Sequence, residues 1–350
     1  MALDPRALED KVPPSLPNPA IPLAPQHDEL STWVYPLNHR GGGYGVVWVV
    51  VVVVVVVLGE DGGRRPRMDQ AKKALQGASG GFSFFSNKEE KYQNAADLYV
   101  QAANAYRLER MNKEAGSCFE AAAGIHRDKL NEPDDAANQM VDAFKVYRKE
   151  YPQDAIRCIQ VAISRYQAKG NFRRAASHLE NAAELLDEVG DRKGAIPLYT
   201  EAGRHYEDDG AKALANKNWL KVADMAGLEG DYFQAVELYE KVADSSLDNH
   251  LMKYSVKDYW MKAGICILAT KDLVSSRRNL ERYVEKDPSF ATQREYQLLS
   301  DLIEAIDAGD QEVFTDKLYQ YNQMSPLDKW KTEIFLRIKN QIEDADNEFA

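Results

Sequence analysis

Ala95-Ala96-Asp97-Leu98-Tyr99-Val100-Gln101-Ala102-Ala103-Asn104-Ala105-Tyr106 sets apolar or small side chains at Ala95, Leu98, Tyr99, Ala102 and Tyr106. That is the i, i+3, i+4, i+7 spacing of one helical face. The pattern recurs at Ala115, Ala136-Ala137, Ala155, Ala175-Ala176, Ala195, Ala213 with Ala215, and Ala235. The beat is about twenty residues, so a helical pair repeats about every forty, within the range of helix-turn-helix solenoids. Alanine lets neighbouring helices approach closely. Helix breakers separate the beats: Asn131-Glu132-Pro133, Tyr151-Pro152, Gly170-Asn171, Gly190-Asp191, Gly210 and Gly230-Asp231. Strand alternation is absent from this region. One hairpin cannot bury its apolar face alone, so stacking predicts a twisted sheet of helices with an extended concave face suited to a partner. The expected fold class is all-α, a TPR-like helical-hairpin solenoid over 71–245 followed by a C-terminal helical bundle over 246–350.

The bundle is expected because the beat fails after about residue 245. Helices are predicted near 253–270, 273–285, 291–308, 311–321 and 326–343. Ser325-Pro326-Leu327-Asp328 reads as a capping box with proline at the first helical position, starting the last helix. The alternative is more solenoid with a degenerate repeat.

Residues 12–70 do not belong with the rest. They are rich in proline, then glycine, then almost pure valine over 46–57 with Trp48 inside, ending in Arg64, Arg65 and Arg67. The apolar run falls short of the roughly 20 residues a membrane-spanning helix needs. Val, Gly and Trp codons are what a repetitive G/T-rich tract yields on translation. A valine codon begins with GT and a glutamine codon can be CAG, so Val12 and Gln70 could carry the ends of an in-frame intron. Without 12–70, residues 1–11 join Ala71 directly and form the start of a first helix, with Leu8, Ala71, Ala74 and Leu75 on its apolar face. The segment is therefore read as a low-complexity insert, a retained intron, expected to be disordered.

Composition narrows the function. The chain is 44% apolar and 28% charged with a net charge of −11, which lacks the Lys/Arg excess that binding nucleic acid requires. Cys118, Cys158 and Cys266 are widely spaced inside apolar helical patterns and read as buried free thiols. His126, His178, His205 and His250 lack ligand spacing and read as surface or helix-end residues. No GxGxxG after a strand, phosphate loop, HExxH or GxSxG elbow occurs. No enzyme activity, cofactor or metal is expected. Early charges at Asp4, Arg6, Glu9, Asp10 and Lys11 interrupt any signal-peptide run.

Three features suit binding. Phe82, Phe84 and Phe85 sit in a glycine- and serine-flanked break, where exposed rings favour the interfacial zone of a bilayer; alternatively they staple the first hairpin into the core. Arg173, Arg174, Lys217, Lys221 and Lys257 form a basic set in an acidic chain. With Leu251 and Tyr254 they would offer positive charge around an apolar centre, suited to an acidic helical partner; scattered solvated charges are the plainer reading. The terminus, with Glu343, Asp344, Asp346, Glu348 and Phe349, is acidic with one aromatic that could anchor docking.

Longer motifs carry a resemblance. Gln76-Gly77-Ala78-Ser79-Gly80-Gly81-Phe82-Ser83-Phe84-Phe85, Leu130-Asn131-Glu132-Pro133-Asp134-Asp135-Ala136-Ala137-Asn138, Ala215-Asn216-Lys217, Lys253-Tyr254-Ser255-Val256-Lys257-Asp258-Tyr259 and Leu327-Asp328-Lys329-Trp330-Lys331 closely resemble alpha-type soluble NSF attachment proteins. The similarity spans residue 71 to the C-terminus and residues 1–11; 12–70 has no counterpart. It implies a non-enzymatic adaptor, cytoplasmic and peripherally associated with membranes. It further implies that several copies bind one SNARE four-helix complex and recruit and stimulate a hexameric NSF-type AAA ATPase. On that resemblance Phe82, Phe84 and Phe85 touch the membrane surface. Lys217, Leu251, Tyr254 and Lys257 contact the SNARE complex. Glu343, Asp344, Asp346, Glu348 and Phe349 meet the ATPase. The chain departs from the family at Asn171 and Ser177, where basic residues are common and Arg173 and Arg174 lie close by, and at Phe349, where leucine is common. The rival reading is a generic peptide-binding solenoid without an ATPase partner; an unrecognised hydrolase is a third.

Overall fold

Helices separated by turns at the expected beat make up the described residues of the solenoid. The computed structural model describes residues 68–70, 72–74, 76, 88–249 and 251–349, with the side chains of 343–349 outside the description. Residues 1–11, nearly all of the expected insert, Phe82, Phe84, Phe85 and His250 lie outside the described residues. The exception is 68–70, the last residues of the expected insert, which are helical. Met68 packs against the first core, beside the Tyr106 hydroxyl.

Eight helices form antiparallel hairpins: α1 Lys88–Leu108, α2 Asn112–Ile125, α3 Pro133–Tyr147, α4 Pro152–Ala168, α5 Phe172–Glu188, α6 Arg192–Asp208, α7 Lys212–Glu229 and α8 Tyr232–Leu247. A π-helical turn at His126–Leu130 extends α2 and was not expected. Gly170, Gly190, Gly210 and Gly230 take positive φ at the four central turns, the left-handed conformation that ends a helix and that L side chains resist. Asn171, Asp191 and Asp231 then cap the following helices, each carboxylate or amide oxygen accepting a backbone N–H at 2.9 to 3.3 Å. The recurring alanines are the contact surface: Ala95, Ala96, Ala102, Ala115, Ala155, Ala175 and Ala195 are fully buried. The three cysteines are buried free thiols, as expected; burial pushes the Cys118 thiol up to about 11 and Cys158 to about 12.

Beyond α8 the chain makes a 3₁₀ turn at Lys253–Ser255 and then α9 Val256–Ala269, α10 Leu273–Lys286, a 3₁₀ turn Pro288–Thr292, α11 Arg294–Asp307, α12 Gln311–Met324 and α13 Lys329–Phe349. α9 is buried nearly all round, through Val256, Trp260, Met261, Ile265, Cys266 and Leu268, as befits the central helix of a bundle. Two large cores meet at α7 and α8. Trp219 and Val242 belong to the first, while Ala223, Ala226, Tyr239 and Ala243 belong to the second, which runs to Ile342. The last helix returns to α7: the Trp330 indole N–H donates to the Asp224 carbonyl at 2.8 Å, and Arg337 donates to the Leu228 carbonyl at 2.8 Å. Gly227 makes room, because a Cβ there would stand 2.8 Å from Cζ2 of Trp330.

Two expectations are corrected. The last helix begins at Lys329 rather than Pro326. The Ser325 N–H is taken by the Tyr321 carbonyl, closing α12, and Asp328 caps α13 by accepting the Lys331 N–H at 2.8 Å. His178 lies mid-helix and buried rather than at the surface, stacked on Tyr166 at 5.2 Å; His126, at the end of α2, is buried too and pairs with Glu132 at 2.8 Å.

Candidate functional site

Lys217 and Lys221 stand one turn apart on α7. They line a groove of about 330 Å³ with Asn216, Leu220, Met252 and Tyr259. The turn after α8 forms the far wall. The Asn249 side chain accepts the Leu251 N–H at 3.0 Å and the Asn249 carbonyl accepts the Lys253 N–H at 2.8 Å. That local closure pins the backbone while Val256 and Trp260 sink into the core, so Leu251 and Tyr254 are thrust outward at 89% and 84% exposure. Neither side chain takes part in a core; Leu108, Phe233 and Val274 are exposed to a similar degree elsewhere on the chain. Tyr254 and Lys257 line a second groove of about 420 Å³ together with Lys253, Trp260, Phe290 and Gln293.

The lysines are held to different degrees. Lys217 pairs with Glu180 of α5, a buried carboxylate that also receives the Tyr206 hydroxyl at 3.5 Å. The Glu180 hydrogen bond keeps the Lys217 ammonium above the usual lysine range. Lys257 meets the buried Glu295 carboxylate at 3.0 Å, and Lys253 meets Asp287 at 3.4 Å. Lys221 is exposed and pairs with no carboxylate among the described residues. Asp224, one turn on, is occupied by Lys262 at 2.7 Å and by the Tyr239 hydroxyl.

Of the predicted basic set, Lys217, Lys221 and Lys257 border neighbouring grooves on either side of the 251–259 segment, with Leu251 and Tyr254 on that segment. Arg174 lies on α5 and reaches away from α7: it donates to the Asn138 side chain at 2.7 Å and covers the Tyr166 ring at 4.3 Å. Arg173 is tied to Asp209 at 2.9 Å. Glu343, Asp344, Asp346, Glu348 and Phe349 belong to the backbone of α13.

Sequence reasoning missed the carboxylates beneath the lysines. Their signal was present: Lys217–Glu180, Arg157–Glu120, Lys262–Asp224 and Lys286–Asp244 are all ion pairs between residues one repeat apart. It also missed a groove of about 550 Å³ between α7 and α13, bordered by Asp187, Arg192, Lys221, Leu228, Trp330 and Arg337. No local spacing joins residues so distant in the chain. Among the described residues, no group of three or more His, Cys, Asp or Glu could hold a metal ion, and no helix is long and apolar enough to cross a membrane.

Comparison with known proteins converges on one family. The family model described as soluble NSF attachment protein, SNAP, matches residues 63–343. The chain is 58% identical over 287 residues to a probable vesicular-fusion protein sec17 homolog of Neurospora crassa, covering 82% of this chain and 98% of that one. It is 36% identical over 284 residues to the alpha-soluble NSF attachment protein of Saccharomyces cerevisiae, covering 80% and 97%. It is 33% identical over 277 residues to the human alpha-soluble NSF attachment protein, covering 79% and 93%. The chain belongs to the soluble NSF attachment protein family.

Proposed function

We propose that this chain is an adaptor in vesicle fusion and intracellular protein transport. It binds SNARE four-helix complexes and recruits and stimulates an NSF-type hexameric AAA ATPase that takes them apart. The observation that carries the reading is the family match across residues 63–343. It is supported by the grooves where Lys217, Lys221 and Lys257 flank the exposed Leu251 and Tyr254. A helical bundle with an acidic surface complements such a face, and weak contacts add up when several copies act together. Arg173 and Arg174 extend the basic set along α5. Phe82, Phe84 and Phe85 rest in the membrane surface and raise the local concentration. The acidic end of α13, with Glu343, Asp344, Asp346, Glu348 and Phe349, meets the ATPase. The protein works in the cytoplasm, peripherally attached to membranes, and performs no chemistry itself.

The test is ATP-dependent disassembly of a purified SNARE complex by the ATPase, with this chain added intact or lacking residues 12–70. Disassembly by either form supports the adaptor. Neither disassembly nor SNARE binding by either form overturns it. Phe84→Ser combined with Phe85→Ser is expected to lower activity on membrane-embedded SNARE complexes and spare soluble ones; equal loss on both would make the rings part of the core.

A further inference from the structure

The basic face is not electrostatically uniform. Glu180 and Glu295 are buried carboxylates, with side chains 12% and 10% exposed, and each holds a lysine whose own side chain is about half exposed. Lys217 and Lys257 are therefore neutralised from below while their ammonium groups still reach the surface. Among the described residues Lys221 and Arg174 have no such partner: Lys221 lies between two grooves, and the Arg174 guanidinium engages a neutral amide and a tyrosine ring.

We propose that this surface divides its labour. Lys221 supplies the uncompensated charge of this surface that draws in an acidic helical partner, and Arg174, which points away from α7 toward Asn138 and Tyr166, adds uncompensated charge at longer range. Glu180 and Glu295 are positioning residues that cancel the long-range charge of Lys217 and Lys257 and hold them as fixed hydrogen-bond donors. This rests on the SNARE-binding reading above. An ion pair looks like a dipole from afar, and its field falls away within a Debye length of about 8 Å at physiological salt. At contact the same pair presents a lysine whose rotamers are already restricted, so less side-chain entropy is lost when the partner docks.

The test is stopped-flow association of the full chain with a purified soluble SNARE four-helix complex across a range of salt, the variants being checked first for native circular dichroism. Glu180→Gln and Glu295→Gln each expose one charge, so each is expected to raise the association rate at low salt by about threefold. Each also speeds dissociation, because the lysine is no longer held. Lys221→Met and Arg174→Gln are expected to slow association by about the same factor and flatten its salt dependence. Lys217→Met combined with Glu180→Gln removes a neutral pair, so it retains the wild-type salt dependence while dissociating faster. Two results overturn the proposal: Glu-to-Gln variants with unchanged association rates, or the paired replacement flattening the salt dependence as much as Lys221→Met. A wild-type chain that binds no SNARE complex at any salt would instead sink the functional reading, and this one with it.

Discussion

His178 shows how much one buried ring can couple a helical repeat to pH. It lies on α5 between Tyr166 and the Arg174 side, with neither ring nitrogen hydrogen-bonded. Burial, reinforced by the nearby charges of Arg174 and Lys145, pushes its pKa down to about 4. The unfolded chain, with an ordinary histidine, binds the proton more readily between about pH 4 and 6.5, so folding stability falls as pH drops through that window. The loss from this residue between pH 7 and pH 5 is about 2 kcal/mol. Urea denaturation at the two pH values is expected to show it, and His178→Phe, which keeps a ring against Tyr166, is expected to remove most of it. An unchanged pH dependence in the variant would place the coupling elsewhere. Composition marked this histidine as a surface residue because isolated histidines usually are; only the alanine face around it, Ala175, Ala176, Ala182 and Ala183, betrays its burial.

At the scale of elements, what the sequence made legible was the punctuation. Glycine marks the ends of α4 to α7, and the asparagine or aspartate after it caps α5, α6 and α8, while Gly210 is followed by Ala211 and α7 carries no side-chain cap. Both chemistries are local, a left-handed backbone and a side chain three residues from the N–H it accepts. The start of α13 was misread because two capping residues compete within four positions. The Ser325 N–H closes α12, and Asp328, whose carboxylate accepts the Lys331 N–H and also meets the Lys331 ammonium at 3.6 Å, caps the last helix. Asp328→Ala is therefore expected to destabilise the fold by about 1 kcal/mol, and Ser325→Ala by less than half of that, as read by thermal or urea unfolding. The reverse order would restore the earlier start. The grooves were half legible. Exposed Leu251, Tyr254 and the lysines announce themselves as apolar and basic residues without a core role, whereas Glu180, Glu295 and Trp330 matter through contacts made one repeat or more away.

For the whole molecule, the question is which polypeptide performs the function. The aligned span takes in 98% of the Neurospora crassa relative but 82% of this chain, so the surplus belongs to this chain. The low-complexity tract over 12–70 is where composition puts it, and its end residues, Val12 and Gln70, can be encoded by codons that carry an intron's ends. Residues 68–70 are helical and Met68 meets the first core, a contact that removing 12–70 would take away, since Glu9 would then stand where Met68 does. A retained intron predicts that cellular messenger RNA joins the codon for Lys11 to that for Ala71. Digestion of cell extract with a glutamate-specific protease should then yield a peptide running from Asp10 through Lys11 and Ala71 to Glu89. Peptides bearing Trp48 within its valine run would instead show that the insert is translated. In that case the disassembly assay with and without 12–70 decides whether the adaptor tolerates a break at the start of its first helix.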